Sequence, residues 1–171
     1  VVINPNNPTG LVEPRENLEA LLAVATGIVV VDEAYAEFSD EVSAVTLIAK
    51  YPQIVVIRTM SKAFSFAGAR LGYLVADSKV IDALFLVRLP YHLSAITQAA
   101  AEVALEHREE LLANVEQLII EREWVKSQLE ERGLSVVPSK ANFLLFSGFD
   151  IPAAVLWKSL LDAGVLIRDV G

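Results

Sequence analysis

The chain has 171 residues, 54% of them hydrophobic, with 14 basic and 22 acidic side chains and a formal net charge of −8. That length suits one ordinary domain or one and a fraction, and the acid excess argues against broad nucleic-acid binding, which needs a basic face. There is no cysteine, and the two histidines, His92 and His107, stand apart, which removes disulfides, thiolate metal ligands and a cysteine nucleophile and speaks against zinc.

A mean hydropathy of +0.46 is high for a soluble domain. Strands buried on both faces would explain it, as would surface that normally meets a partner. No apolar run approaches the roughly 18 residues that span a bilayer, and no charged leader precedes a long apolar stretch. The expectation is a cytoplasmic soluble protein with no membrane partner. Because the chain opens inside a strand-like run, it reads as a fragment.

"VVI" (1–3) is a strand signal, and "NPNNPTG" (4–10) follows directly. Pro5 and Pro8 fix φ and remove backbone donors, while Asn and Gly accept turn conformations, so this is a sharp, stiff loop. Such a loop after a strand often presents a side chain to a ligand. Residues 13–26 predict a helix with Pro14 in its first turn, Leu18, Leu21, Leu22 and Ala25 on one face, and Gly27 as its stop. "IVVVDEAY" (28–35) is a short β-branched strand. Residues 41–52 predict a helix ended by Pro52, and "IVVIRT" (54–59) and "LGYLVA" (71–76) are further strands. Short β-branched runs separated by helices indicate an α/β fold with a largely parallel sheet covered on both sides.

The second half changes character. Helices are predicted over 78–89 and 95–107, separated by a break at "PYHLS" (90–94). From Glu109 to Arg132 runs a long helical pattern, with Leu111, Val115, Leu118, Val125 and Leu129 on one stripe and Gly133 closing it. "LSVVPS" and "ANFLLF" are strand candidates around Pro138, 152–164 is a helix, and "VLIRD" (165–169) a last strand. The implied organisation is a large α/β domain over 1–108, a connecting helix over 109–133, and part of a small α+β domain over 134–171.

Ligands of open parallel sheets sit outside the carboxyl ends of the strands. Here the first strand ends in "NPNNPTG", the second in Asp32 and Tyr35, and the third in "RTMSKAFSFAGAR". Singly, Asp32 could be a cap, Lys62 a solvated amine and Arg70 a salt-bridge partner. On consecutive strand ends they meet the needs of pyridoxal phosphate chemistry. That chemistry needs a lysine amine for the aldehyde, an acid on the pyridine nitrogen and donors to the phenolic oxygen. Asn7 and Tyr35 could be those donors. A cationic fork with hydroxyls, as in Arg70 with Thr59 and Ser61, suits the phosphate, and Gly68 and Gly72 let backbone come close.

"NPNNPTG", "VVVDEAYAEF" and "TMSKAFSFAGARLGY" together resemble the successive cofactor motifs of class I/II, fold-type I aminotransferases. The chain is most similar to the histidinol-phosphate aminotransferase family, of which "SKAF", a later "ANFLL" and "LIRD" are typical. The resemblance covers essentially the whole chain. It implies the second half of a mainly parallel-sheet large domain, a long connecting helix and part of a small α+β domain. It further implies Lys62 as the Schiff-base lysine, Asp32 on the pyridine nitrogen, Asn7 and Tyr35 on the phenolic oxygen, and Thr59, Ser61 and Arg70 around the phosphate. Arg168, in "LIRD", matches an arginine expected to help bind the substrate's distal phosphate. Tyr91 and His92 could border the pocket, with a packing role favoured, and Asn142 could lie near the substrate.

Family members are about twice this length. The resemblance implies an amino donor, histidinol phosphate, and a 2-oxo acid acceptor, 2-oxoglutarate, with a homodimer in the complete protein. Two alternatives stay open at this point: a related phosphothreonine decarboxylase or aromatic aminotransferase, and a regulator domain that senses the cofactor without turnover.

Overall fold

A computed structural model of the protein describes residues 1–170. Four strands form the main sheet in the order β1 (Val2–Ile3), β2 (Val29–Asp32), β3 (Ile54–Thr59) and β4 (Gly72–Ala76). The first three are parallel, with Ile3 opposite Asp32 and Asp32 opposite Ile57, so their carboxyl ends share one edge. β4 runs antiparallel to β3, pairing Gly72 with Thr59 and Ala76 with Val55. The sheet is therefore mainly parallel, as the alternating strands and helices imply, with one reversed strand.

α1 (Arg15–Val24) covers one face. Leu18 and Leu22 pack against Val29, Val31, Ile54 and Val56, with Ala44 and Leu47 closing the cluster. Each such side chain, fully buried, contributes roughly 1.5–3 kcal/mol, and the β-branched residues fit the pleated surface. Leu21, expected on the same helix face, is instead exposed. The remaining helices are α2 (Ser78–Val87), α3 (Ala95–Glu106), α4 (Arg108–Glu130) and α5 (Ala153–Asp162), with a hairpin of β5 (Ser135–Val137) and β6 (Leu145–Ser147) between α4 and α5.

Three expectations change. Residues 41–52 form only a short 3-10 turn, Ala44–Leu47. Ser43 caps it through Val45 N, and the carboxylate of Glu33 takes the Ala44 amide at 2.6 Å, so a tertiary partner replaces helix propagation. "VLIRD" forms no strand. A strand exists only through a neighbouring ladder, and here the segment is instead tied by Trp157 Nε1 donating to Ile167 O at 2.9 Å. On α4, Leu118 and Val125 are exposed, and the covered face runs through Leu112, Val115 and Ile119. That stripe is rotated from the expected one and continues onto Arg122, whose side chain is 7% exposed. Among the described residues, no helix is long and apolar enough to cross a membrane.

Candidate active site

β1 delivers the chain into the Asn-Pro loop. Asn4 N bonds Asp32 O at 2.9 Å, Asn6 N bonds Leu11 O, and Gly10 N bonds Asn6 O at 2.7 Å. The Asn4 side-chain oxygen accepts from Glu13 N, and that of Asn6 accepts from the Thr9 hydroxyl. The Asn4–Pro5 and Asn7–Pro8 peptides are cis. Two asparagines are thus spent on the loop itself, while the third points outward. Asn7 Nδ2 donates to the Tyr35 hydroxyl at 3.0 Å. Accepting that bond leaves the phenol its own proton to donate.

Asp32 is the last residue of β2, and one carboxylate oxygen accepts the Ala34 amide at 3.0 Å. Side chains alternate along a strand, so the next residue, Glu33, turns the other way and is 3% exposed. Its carboxylate bonds Arg58 at 2.7 Å and the Ser43 hydroxyl, and Arg58 also reaches Glu37 at 2.9 Å. Burial works against the Arg58 charge, yet Glu33 and Glu37 outweigh it and hold the guanidinium above its ordinary pKa. This buried cluster locks the end of β2 to the end of β3. Burial also raises the hydroxyl of Tyr73, which stands opposite Arg58.

Lys62 lies in the loop between β3 and β4, where Met60 N bonds Leu71 O and Phe66 N returns to Met60 O. The Thr59 hydroxyl accepts from Ser61 N at 3.1 Å. Ser65 and Arg70 hold left-handed conformations, at φ 53° and 55°. For non-glycine residues that costs roughly 1–2 kcal/mol each, and such strain concentrates at ligand sites. Gly72 makes the closure possible, since a Cβ there would stand 2.7 Å from Arg58 O. Lys62 Nζ lies 5.6 Å from the centre of the Tyr35 ring.

Asn7 is thus bonded to Tyr35, the Lys62 amine stands 5.6 Å from the centre of the same ring, and Asp32 sits on the same sheet edge. Thr59 and Ser61 are joined by one hydrogen bond, and Arg70 is exposed at the loop's end with Nη1 on Ala67 O. Arg168 is exposed and lines a cavity of about 440 Å³ together with Pro8, Leu145, Phe149 and Trp157, so it shares a wall with the Asn7 loop. A larger apolar cavity, about 610 Å³, lies elsewhere, between β4 and α2. His92 lines that one, and Tyr91 is 96% exposed. Neither belongs to the Lys62 cluster, nor does Tyr91 have the packing role expected of it. Asn142 is exposed beside Phe143.

Glu33, Arg58 and Arg122 escaped the sequence reading. The signal for Arg122 was its spacing: it falls three residues after Ile119 and seven after Val115, on the seam of α4.

The donor set suits a phosphorylated aromatic aldehyde. It offers an amine, a carboxylate, a phenol, a carboxamide, two hydroxyls and a guanidinium on the loops and strand ends of one edge, with the phenol ring 5.6 Å from the amine.

The sequence pattern of the family described as aminotransferase class I and II matches residues 1–171. The chain is 61% identical over 172 residues to a histidinol-phosphate aminotransferase of Nocardia farcinica, covering 99% of this chain and 44% of that protein. It is 58% identical over 171 residues to the enzyme of the same description from Corynebacterium glutamicum, covering 99% and 46%. Its fold is similar, with a TM-score of 0.88 at 31% identity, to the crystal structure of histidinol-phosphate aminotransferase from Sinorhizobium meliloti in complex with pyridoxal-5'-phosphate, covering 99% of this chain and 48% of that one. The chain thus spans about half the length of the relatives it matches.

Proposed function

Since this chain belongs to the class I and II aminotransferase family, we propose that the protein carrying it is a pyridoxal-phosphate-dependent transaminase. Its amino donor is histidinol phosphate and its acceptor 2-oxoglutarate, which assigns it to histidine biosynthesis. The observation that carries the reading is the placing of the Lys62 amine 5.6 Å from the ring of Tyr35, whose hydroxyl the Asn7 amide holds at 3.0 Å, at the strand ends. The choice of donor rests on the 58–61% identity to histidinol-phosphate aminotransferases.

When bound, the cofactor supplies an electron sink that stabilises a carbanion at the substrate's α-carbon. The residues of this chain hold and orient it. Lys62 would supply the amine for the cofactor's aldehyde and the base for the α-proton. Asp32 keeps the ring nitrogen protonated, and Tyr35, steadied by Asn7, donates to the ring oxygen. Thr59, Ser61 and Arg70 hold the phosphate, where a guanidinium forms two parallel bonds. Arg168 reads the distal phosphate of the substrate, a role supported by the wall it shares with Pro8.

We assign residues 1–108 to the cofactor-binding domain, 109–133 to a connecting helix and 134–171 to the small domain, with Gly171 outside the described residues. The working form is a cytoplasmic homodimer.

The test is chemical. Borohydride reduction of the complete holoprotein should fix the phosphopyridoxyl group on Lys62, found by peptide mapping, and Lys62→Ala should lose both the adduct and turnover. An adduct on another lysine would refute the assignment.

A further inference from the structure

Strands bring the loops of the site to one edge, and Tyr35 follows β2 in a turn, so something else must hold its ring. Two surfaces do so. One is its own segment, the 3-10 turn Ala36–Phe38. The other is Phe143, whose ring meets it edge-on at 5.2 Å. Both surfaces lead to one side chain on α4. Arg122 Nη1 donates to Ala141 O at 2.9 Å and to Phe38 O at 3.4 Å.

We propose that Arg122 is a positioning residue for Tyr35: by clasping the carbonyls of Phe38 and Ala141 it sets the phenol between Asn7 and Lys62. The proposal rests on the cofactor reading above for its consequence in catalysis, though not for its geometry.

The guanidinium is aimed as well as buried. Glu123 takes Nε and Nη2 at 2.9 and 2.8 Å, so Nη1 is left to face the two carbonyls. Ala141 is fully buried, so an apolar residue at 122 would leave its carbonyl short of a partner. The two clasped segments come from opposite ends of the chain, yet Tyr35, Phe38, Ala141 and Val115 belong to one cluster, with Phe143 packed against it. A solvated surface arginine would make none of these contacts. A lysine has a point charge on a flexible stem and lacks the planar fork that Glu123 braces.

The test uses the complete protein with fluorotyrosine incorporated and compares Arg122→Met, Arg122→Lys, Phe143→Leu, Tyr35→Phe and the double variant Arg122→Met/Tyr35→Phe. The 19F resonance lost in Tyr35→Phe reports the phenol directly in the apoprotein. In Arg122→Met that resonance should shift or broaden. In the holoprotein, loss of a donor at the ring oxygen leaves that oxygen a stronger hold on the nearby imine proton. The pH midpoint of the cofactor's visible absorbance should then rise, in both Arg122→Met and Tyr35→Phe, by up to about one pH unit, a tenfold change in proton affinity. The double variant should show no more than Tyr35→Phe alone. Arg122→Lys should recover part of the shift, and Phe143→Leu should move both signals in the same direction.

A resonance and midpoint that stay at wild-type values in Arg122→Met overturn the proposal, as does a double variant whose shifts add. Should Arg122→Met not fold, Arg122→Lys and Phe143→Leu decide the matter, and wild-type signals in both overturn it. A wild-type protein without a Lys62-dependent visible band would refute the cofactor reading, and the 19F signal would then judge the clasp alone.

Discussion

Replacing Gly10 with alanine should destabilise the protein more than its small size suggests. Gly10 has φ +76°, where an alanine costs roughly 1–2 kcal/mol. The added methyl would also lie 2.1 Å from Ser139 Oγ, 2.6 Å from its Cβ and 3.0 Å from its Cα. Ser139 cannot step aside freely. It is buried, its hydroxyl accepts the Ala141 amide at 3.0 Å, and the next residue, Lys140, donates its amide to Gly10 O at 2.8 Å. Overpacking of this kind costs about 1–3 kcal/mol, so the total is about 2–5 kcal/mol. Gly133 is the internal control, with φ +82° and nothing within 4 Å of an added Cβ. Gly133→Ala should cost only the backbone part, about 1–2 kcal/mol. Urea unfolding of the complete protein with linear extrapolation gives both values. Gly10→Ala/Ser139→Gly, which deletes the two nearest atoms, should recover part of the loss. Equal costs at positions 10 and 133 would refute the crowding argument.

Arg168→Ala should lower kcat/KM for histidinol phosphate about 10- to 100-fold, from loss of charge-assisted bonds worth roughly 1.5–3 kcal/mol. For a neutral aromatic amino acid the loss should be several-fold at most, and equal losses on both substrates would mean that the arginine shapes the domain instead. The Asp40 carboxyl is held below its ordinary pKa, chiefly by its hydrogen bond from Lys140. A depressed carboxylate adds stability above its unfolded pKa and loses it as pH falls through the folded one, so the effect belongs to the acid side, below about pH 4. In Lys140→Ala the NMR titration of Asp40 should move up toward its ordinary value, and an unchanged titration would acquit Lys140.

The sheet was legible because β-branched runs carry their own signature: Val29–Asp32 and Ile54–Thr59 are strands where the pattern put them. The direction of β4 was not legible, since nothing local in "LGYLVA" distinguishes a parallel neighbour from an antiparallel one. The helix expected over 41–52 failed for a tertiary reason, the Glu33 carboxylate taking the Ala44 amide. Asn7, Asp32, Tyr35 and Lys62 stood out because their types match one chemistry at successive strand ends. Glu33, Arg58 and Arg122 did not, because charged residues read as solvated until their partners are seen. Arg122 is the sharpest case: beside the adjacent Glu123, its partners are two distant carbonyls, which leave no trace in side-chain identity.

The antiparallel return of β4 also bears on the order in which the site assembles during folding. Contacts between residues near in sequence close early, and those that must bring distant segments together close late. The hairpin that carries Lys62 is bounded by the neighbouring pair Thr59 and Gly72, so it can form without the parallel strands. The Asn7–Tyr35 bond spans 28 residues and waits for the crossover that builds β1 beside β2. The Lys140–Asp40 pair, 100 residues apart, closes after both. By the same measure the amine's loop is expected to close before the groups that orient a ring against it, with the clasp of Arg122 on Phe38, 84 residues apart, among the later contacts.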